Sequence, residues 1–448
     1  MENNSINKIY NKISSNPPLV LALAFALLIT LGGLLLSLPF VSKSGQATSL
    51  FDSFFTASSA SCVTGLTTVN TAGHWNLYGQ IIIIFLIQIG GLGVMSFASL
   101  IPLILGEKFG LKSRQILREQ FNIKNLNGII RLFRYVLIFT FSVELIGALI
   151  LSISFIPKFG IKTGIWYSVF HSISAFCNAG FDILGDSIIL YKDDFIINIC
   201  LELLTIIGGL GFIVTGELYY KRDLKKISTH SKIVLIVTGL LILLGTLGFF
   251  ILEKSGGVLA DQSLGSSILQ SSFQSVVART SGFSSVDLSK IKDSTALLLM
   301  TLMFIGGSPG STAGGIKTTT FAVLILSTVS IVKGERETIV FDRHIDDQVV
   351  KKALAIFTIS ISIVMLLTFT LSISENFKTI DILFETVSAL ATVGTSKGIT
   401  SDFSNLGKIL ITICMYIGRL GPITMGYAFG MKAKDRLLRY PECFINIG

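Results

Sequence analysis

The chain has 448 residues, of which 51% are apolar and only 14% charged, against about 25% in an average soluble domain. With 36 basic and 27 acidic side chains and a mean hydropathy of +0.73, it has too little charge to coat a soluble protein of this size. Disordered, collagenous and disulfide-scaffold classes are excluded, and a polytopic membrane protein is indicated.

Lys8 and Lys12 precede an apolar run from Leu19 to Leu36 that no small-residue cleavage pattern follows. It reads as a first spanning helix and not as a removed leader. A bilayer core needs about 20 apolar residues per helix. Eight such stretches follow in order, near 19–39, 80–105, 133–156, 195–219, 232–252, 296–330, 350–373 and 407–430. The sixth is expected to be interrupted, because IGGSPGSTAGGIKTTT (305–320) carries Gly306, Gly307, Pro309, Gly310, Gly314 and Gly315, which cannot continue a helix.

Between odd and even spans lie segments too apolar for ordinary loops and too short to cross. They read FTASSASCVTGL (55–66), FHSISAFCNAGF (170–181), FQSVVARTSGF (273–283) and FETVSALATVGT (384–395). Each is an expected half-helix leading to a glycine: Gly65, Gly180, Gly282 and Gly394. A second feature recurs further on as IGGLG (89–93), IGGLG (207–211), IGGSPG (305–310) and IGRLG (417–421). Two features repeated four times in register imply an internal repeat. The expected fold is therefore all-α: four units of helix, re-entrant half-helix and helix around a central pore, at 1–110, 111–222, 223–340 and 341–448.

Charge sorts by side. The N-terminus, loops 106–134, 217–232 and 333–352 and the tail from Lys432 hold 23 Lys and Arg against 12 acids. The opposite side holds 10 Lys, no Arg and 12 acids. The positive-inside rule puts both termini and the three basic loops in the cytoplasm. The excess is topological. It calls for no nucleic acid, and lipid headgroups are the surface it suits.

Backbone inside a membrane must be buried or line a water-filled path. Four converging intrusions meet that condition. Carbonyls of Cys62, Val63, Thr64 and Gly65, of Cys177, Asn178, Ala179 and Gly180, of Arg279, Thr280, Ser281 and Gly282, and of Ala391, Thr392, Val393 and Gly394 can then replace the hydration shell of a monovalent cation. The half-helix C-termini add partial negative charge. A single glycine of this kind suits helix packing better, and the later Gly-Gly features still read that way.

The four-fold plan, the four glycines and the broken sixth span resemble the Trk/Ktr/HKT potassium-uptake superfamily, over essentially the whole chain, and most closely its KtrB-type membrane subunits. The resemblance implies potassium as the transported ion and a homodimer with one pore per subunit. It also implies a cytosolic ring of RCK-type nucleotide-binding subunits, and a gate made by the 305–320 loop. Serine at the first filter glycine goes with sodium in this superfamily; glycine stands there here. Cys62 and Cys177 depart from its usual residues.

Charges at bilayer depth need a reason. Lys317 either snorkels to the interface or serves the gate. Arg419 stands where the other copies have their second glycine. It either ties down carbonyls of the 306–315 loop or pairs with an acid such as Glu202. Arg279 and Glu385 are expected to serve structure, and Glu144 has no assigned role. Five cysteines without CxxC spacing give no disulfide framework or zinc site. The stretch from Gly310 to Thr318 only approaches a phosphate loop, since Ile316 separates Gly315 from Lys317. No nucleotide fold is present in the sequence, so nucleotide control would need another subunit. The histidines (74, 171, 230, 344) are scattered, and no enzyme site is expected; His171, the one near the pore, should cap or pack. The alternative within transport is an ion-coupled potassium or sodium symporter, but such carriers use inverted repeats, and these four run the same way.

Overall fold

The structure, a computed structural model, describes residues 16–93, 129–221, 223 and 225–428. The N-terminal Lys8 and Lys12, most of loop 106–134, the inner part of the second span and the tail from Lys432 lie outside the described residues.

Four long apolar helices lead the four copies: α1 (Pro17–Leu36), α5 (Ile129–Phe159), α9 (Thr229–Lys254) and α13 (Asp347–Ser374). At 1.5 Å per residue, 20 residues already reach ~30 Å, the depth of a hydrocarbon core. Their outward faces stay apolar and exposed, as with Leu27 and Leu31 on α1 or Ile236, Leu240 and Leu247 on α9. Such faces suit lipid contact.

A shorter helix follows each long one: α2 (Leu50–Cys62), α6 (Ile161–Phe176), α10 (Leu264–Val277) and α14 (Thr379–Leu390). The phenylalanine that opens each motif anchors it: Phe55, Phe170, Phe273 and Phe384 are at most 1% exposed. Burying a phenylalanine side chain stabilises by about 1.5–3 kcal/mol. The third members are α4 (Leu77–Leu92), which follows the one-turn α3 (Thr71–His74), α7 (Phe195–Leu210), α11 (Asp293–Phe304) and α15 (Asn405–Leu420). Asn76, Asp194 and Ser404 cap the starts of three of them.

The sequence suggested one interrupted span. Three further helices stop at the same place in their motifs. Gly93, Gly211 and Gly421 cap α4, α7 and α15 with φ of 87°, 93° and 84°. A left-handed residue ends an α-helix, and glycine takes it at no steric cost. Beyond Gly211 the chain turns by 96° into α8 (Phe212–Lys221), and beyond Gly421 comes α16 (Pro422–Ala428). In the third copy α12 (Thr318–Val332) resumes after the loop. One small departure from the all-α expectation is a hairpin, β1 (Thr338–Val340) and β2 (Arg343–Ile345), turned by Phe341 and Asp342.

Candidate ion pathway

The four motif glycines close a ring. A Cβ built on Gly65 would run into the carbonyl oxygen of Ala179; on Gly180, that of Ser281; on Gly282, that of Val393; on Gly394, that of Thr64. Each glycine thus faces the residue just before the next one, and the fourth returns to the first. The Cβ position of Gly282 lies 3.2 Å from the Cα atoms of both Gly180 and Gly394. Any side chain here would fill the space on which the copies converge.

Backbone conformation repeats as well. The glycines have φ of 98°, 68°, 72° and 94°, and the residues two before them are also left-handed: Val63 59°, Asn178 60°, Thr280 113°, Thr392 49°. Thr64, Ala179, Ser281 and Val393, between them, keep negative φ. Alternating hand turns successive carbonyls to the same side, whereas in a strand they alternate. Non-glycine residues held this way store about 1–3 kcal/mol each, and such strain gathers at functional sites.

The N–H groups turn the other way, into the half-helices. Thr64 N–H donates to Ser59 O (2.8 Å), Ala179 N–H to Ser174 O (2.8 Å), Ser281 N–H to Val277 O (2.9 Å) and Val393 N–H to Ser388 O (2.9 Å). Those four donors are thus satisfied within their own units.

The loop of the third copy lies against this ring. Its two ends pair at Ile305 and Ile316. Gly314 touches Ala391 and Thr392 so closely that a Cβ would meet both. Backbone bonds tie it to the second copy: Ser308 N–H to Gly209 O (2.9 Å), Thr312 N–H to Gly208 O (3.2 Å) and Phe212 N–H to Gly310 O (2.9 Å). Thr312 Oγ1 donates to Phe176 O at 3.0 Å.

Arg419 takes the first of its two sequence readings. Nη1 donates to Thr312 O (2.5 Å), and Nη2 to Gly90 O (2.5 Å) and Gly91 O (3.3 Å). One side chain of the fourth copy therefore holds the loop of the third and the helix end of the first. Glu202 instead accepts from Ser272 at 2.9 Å. Lys317 Nζ donates to Ala313 O in the loop at 2.8 Å. A cavity of about 280 Å³ opens beside the loop, and Lys317, Lys352 and Arg419 all line it. Arg279 reaches Gly306 O (3.3 Å), a structural role toward the same loop.

The family described as TrkH, cation transport protein, matches residues 21–439. The chain belongs to the TrkH family. Among its relatives, the potassium/sodium uptake protein NtpJ of Enterococcus hirae is 41% identical, over 97% of each chain. The Ktr system potassium uptake protein B of Bacillus subtilis is also 41% identical, over 97% of this chain and 98% of its own. The crystal structure of the potassium transporter TrkH from Vibrio parahaemolyticus shares the fold, with a TM-score of 0.72 at 20% identity, over 91% of this chain and 83% of that one.

In this TrkH-family chain three serines escaped sequence reasoning. Ser59 and Ser388 accept the N–H of Gly65 and Gly394 on their hydroxyls, both at 3.0 Å, and Ser174 donates to Phe181 O at 2.8 Å. Each stands four residues after the motif phenylalanine, which is the signal that could have found them. Val277 holds that place in the third copy. Glu144 also gains a setting: its carboxylate accepts from Gln88 Nε2 at 3.0 and 3.2 Å, behind Cys177. Glu385 accepts from Ser396, Lys397 N–H and Thr400 just outside Gly394. His171 packs, fully buried, among Phe155, Phe170 and Phe283.

Proposed function

We propose that this chain conducts potassium across the cytoplasmic membrane of a bacterium, through a filter made by the carbonyls that precede Gly65, Gly180, Gly282 and Gly394. The observation that carries this reading is the closed ring, each glycine abutting the carbonyl of the next copy. Carbonyls around an axis stand in for water on a monovalent cation. The relatives named above are potassium uptake proteins, which supports potassium as the ion here.

The four units are 1–110, 111–222, 223–340 and 341–448, with both termini and the basic loops on the cytoplasmic side. The loop from Gly306 to Gly315, with Lys317 and Arg419, is the gate. It sets a positive, narrow constriction below a filter for cations. The chain works as a homodimer on a cytosolic RCK-type ring that binds the regulating nucleotide. The test is potassium-dependent growth and flux in an uptake-deficient host, with and without a cytosolic partner. Failure to restore growth by a well-expressed, membrane-inserted chain in both settings would reject the reading. The name of the Enterococcus relative favours a second reading, coupling to sodium; potassium flux that requires a sodium gradient would select it.

A further inference from the structure

A second cavity, of about 650 Å³, lies on the basic face, away from the ring. Lys221, Lys225, Lys226, Lys232 and Arg343 line it, with His230, Ser228, Thr229 and Phe341. Its walls are the end of α8, the turn to α9, the start of α9 and the hairpin turn. Phe341 and Asp342 have φ of 48° and 57°, an uncommon backbone for such residues, and this turn carries Arg343 to the cavity. Lys232 Nζ sits 5.8 Å from the centre of the Phe341 ring.

The local charges do not cancel. Lys221 pairs with Glu217 at 2.9 Å and Lys226 with Asp223 at 3.5 Å. Glu217 also accepts from Ser228 and Ser231, so it is committed to the cap of α9. That leaves the side chains of Lys225, Lys232 and Arg343 without a carboxylate partner among the described residues. The N-terminus of α9, a helix of 26 residues, adds its positive end. Depth decides the occupant. Tyr219 and Tyr220 stand 63% and 67% exposed on α8 beside the cavity, as aromatics do at a membrane–water boundary. The lipid-facing residues of α9 begin just past it, at Ile236.

We propose that this cavity binds the phosphate ester of an anionic phospholipid headgroup, held by Lys225, Lys232 and Arg343. Basic pockets between spanning helices at this depth are suited to such headgroups. The binding is independent of the proposed filter.

The experiment uses the full chain in nanodiscs of phosphatidylcholine containing phosphatidylglycerol. Retained phosphatidylglycerol is counted by mass spectrometry. Wild type is compared with a Lys225→Gln, Lys232→Gln, Arg343→Gln triple variant and with a charge-preserving Lys225→Arg, Lys232→Arg, Arg343→Lys variant. Each lost charge should weaken retention about fivefold, and the three together roughly a hundredfold. The charge-preserving variant should retain the lipid and serves as the folding control. Equal retention by the triple variant and wild type would overturn the proposal. Displacement of the lipid by millimolar inorganic phosphate would assign the cavity to a free phosphate and also overturn it. Loss of binding to a cytosolic partner ring with unchanged lipid retention would assign the face to that ring instead.

Discussion

Arg419→Ala is the substitution that most directly tests the gate. Three donor contacts would vanish, to Thr312 O, Gly90 O and Gly91 O. Only the first joins the side chain to the loop. A hydrogen bond from a charged donor contributes about 1.5–3 kcal/mol. If that bond exists only while the loop is closed, its loss shifts the closed-to-open ratio about 10- to 100-fold toward open. The bonds to Gly90 and Gly91 hold the first copy's helix end in either state and should cancel in that ratio. Basal potassium flux into proteoliposomes should therefore rise by one to two decades, with potassium-over-sodium preference retained. Arg419→Lys tests the forked geometry. It keeps the positive charge but replaces the planar fork, which serves Thr312 and Gly90 from separate nitrogens, with a single ammonium. Flux in Arg419→Lys near that of Arg419→Ala makes the fork the barrier; flux near wild type shows that one cationic donor at this place is enough. Reduced flux in an Arg419→Ala protein that remains folded would refute the gate reading and make the arginine a support of the pore.

Gly65→Ser puts a side chain against Ala179 O, so the preference for potassium over sodium should fall, measured as flux in each salt; unchanged selectivity in a folded protein would remove that copy from the filter. Ser388→Ala strips the acceptor from Gly394 N–H, at a cost of about 1 kcal/mol. Selectivity should weaken, while Ser362→Ala, whose hydroxyl only bonds Thr358 O on its own helix, should change nothing; equal effects would contradict the serine's role. Tags at residues 2 and 448 should both be cytoplasmic and one near Lys43 external, and a periplasm-active reporter working at either terminus would reverse the orientation. Lys408→Ala should lower thermal stability by separating the first and fourth copies, because it leaves Asp52 without the ammonium 2.8 Å away; no change in melting temperature would mean the pair is solvated.

The half-helices were legible because their signals are local and repeated: a phenylalanine, a run of small apolar residues and a glycine, four times over. The break at 305–317 was legible for a cruder reason, the density of glycine and proline. Breaks at Gly93, Gly211 and Gly421 were not, since one glycine in an apolar run reads equally well as a packing residue. In three of the later motifs the first glycine does pack: Gly90, Gly208 and Gly418 lie against the carbonyls of Ser61, Phe176 and Leu390. Only backbone conformation separates it from the last. The hairpin escaped because Phe341 and Asp342 occupy a turn that usually takes Asn-Gly or Gly-Gly. Pairs such as Lys408 with Asp52 join residues 356 positions apart, and no periodicity carries that information.

A ring of four similar units can select an ion but has no intrinsic reason to close. Closing requires one unit to differ. The differences sit side by side. In the third copy Val277 replaces the supporting serine, and Ser281 accepts instead from Thr205 of the second copy at 2.9 Å. In the same copy a long loop stands where the second and fourth have a single capping glycine, and it reaches across to Gly208, Gly209 and Phe212 of the second copy. In the fourth, Arg419 replaces a glycine and grips that loop at Thr312. Each departure adds a bond between units. Movement of the loop would therefore be felt by the second and fourth copies at once, while Ser59, Ser174 and Ser388 hold the other three strands of the ring to their own half-helices. Under the proposed gating, that division would let the loop move without loosening the carbonyls of the ring. It is why loss of Arg419 should alter how much passes and leave what passes unchanged.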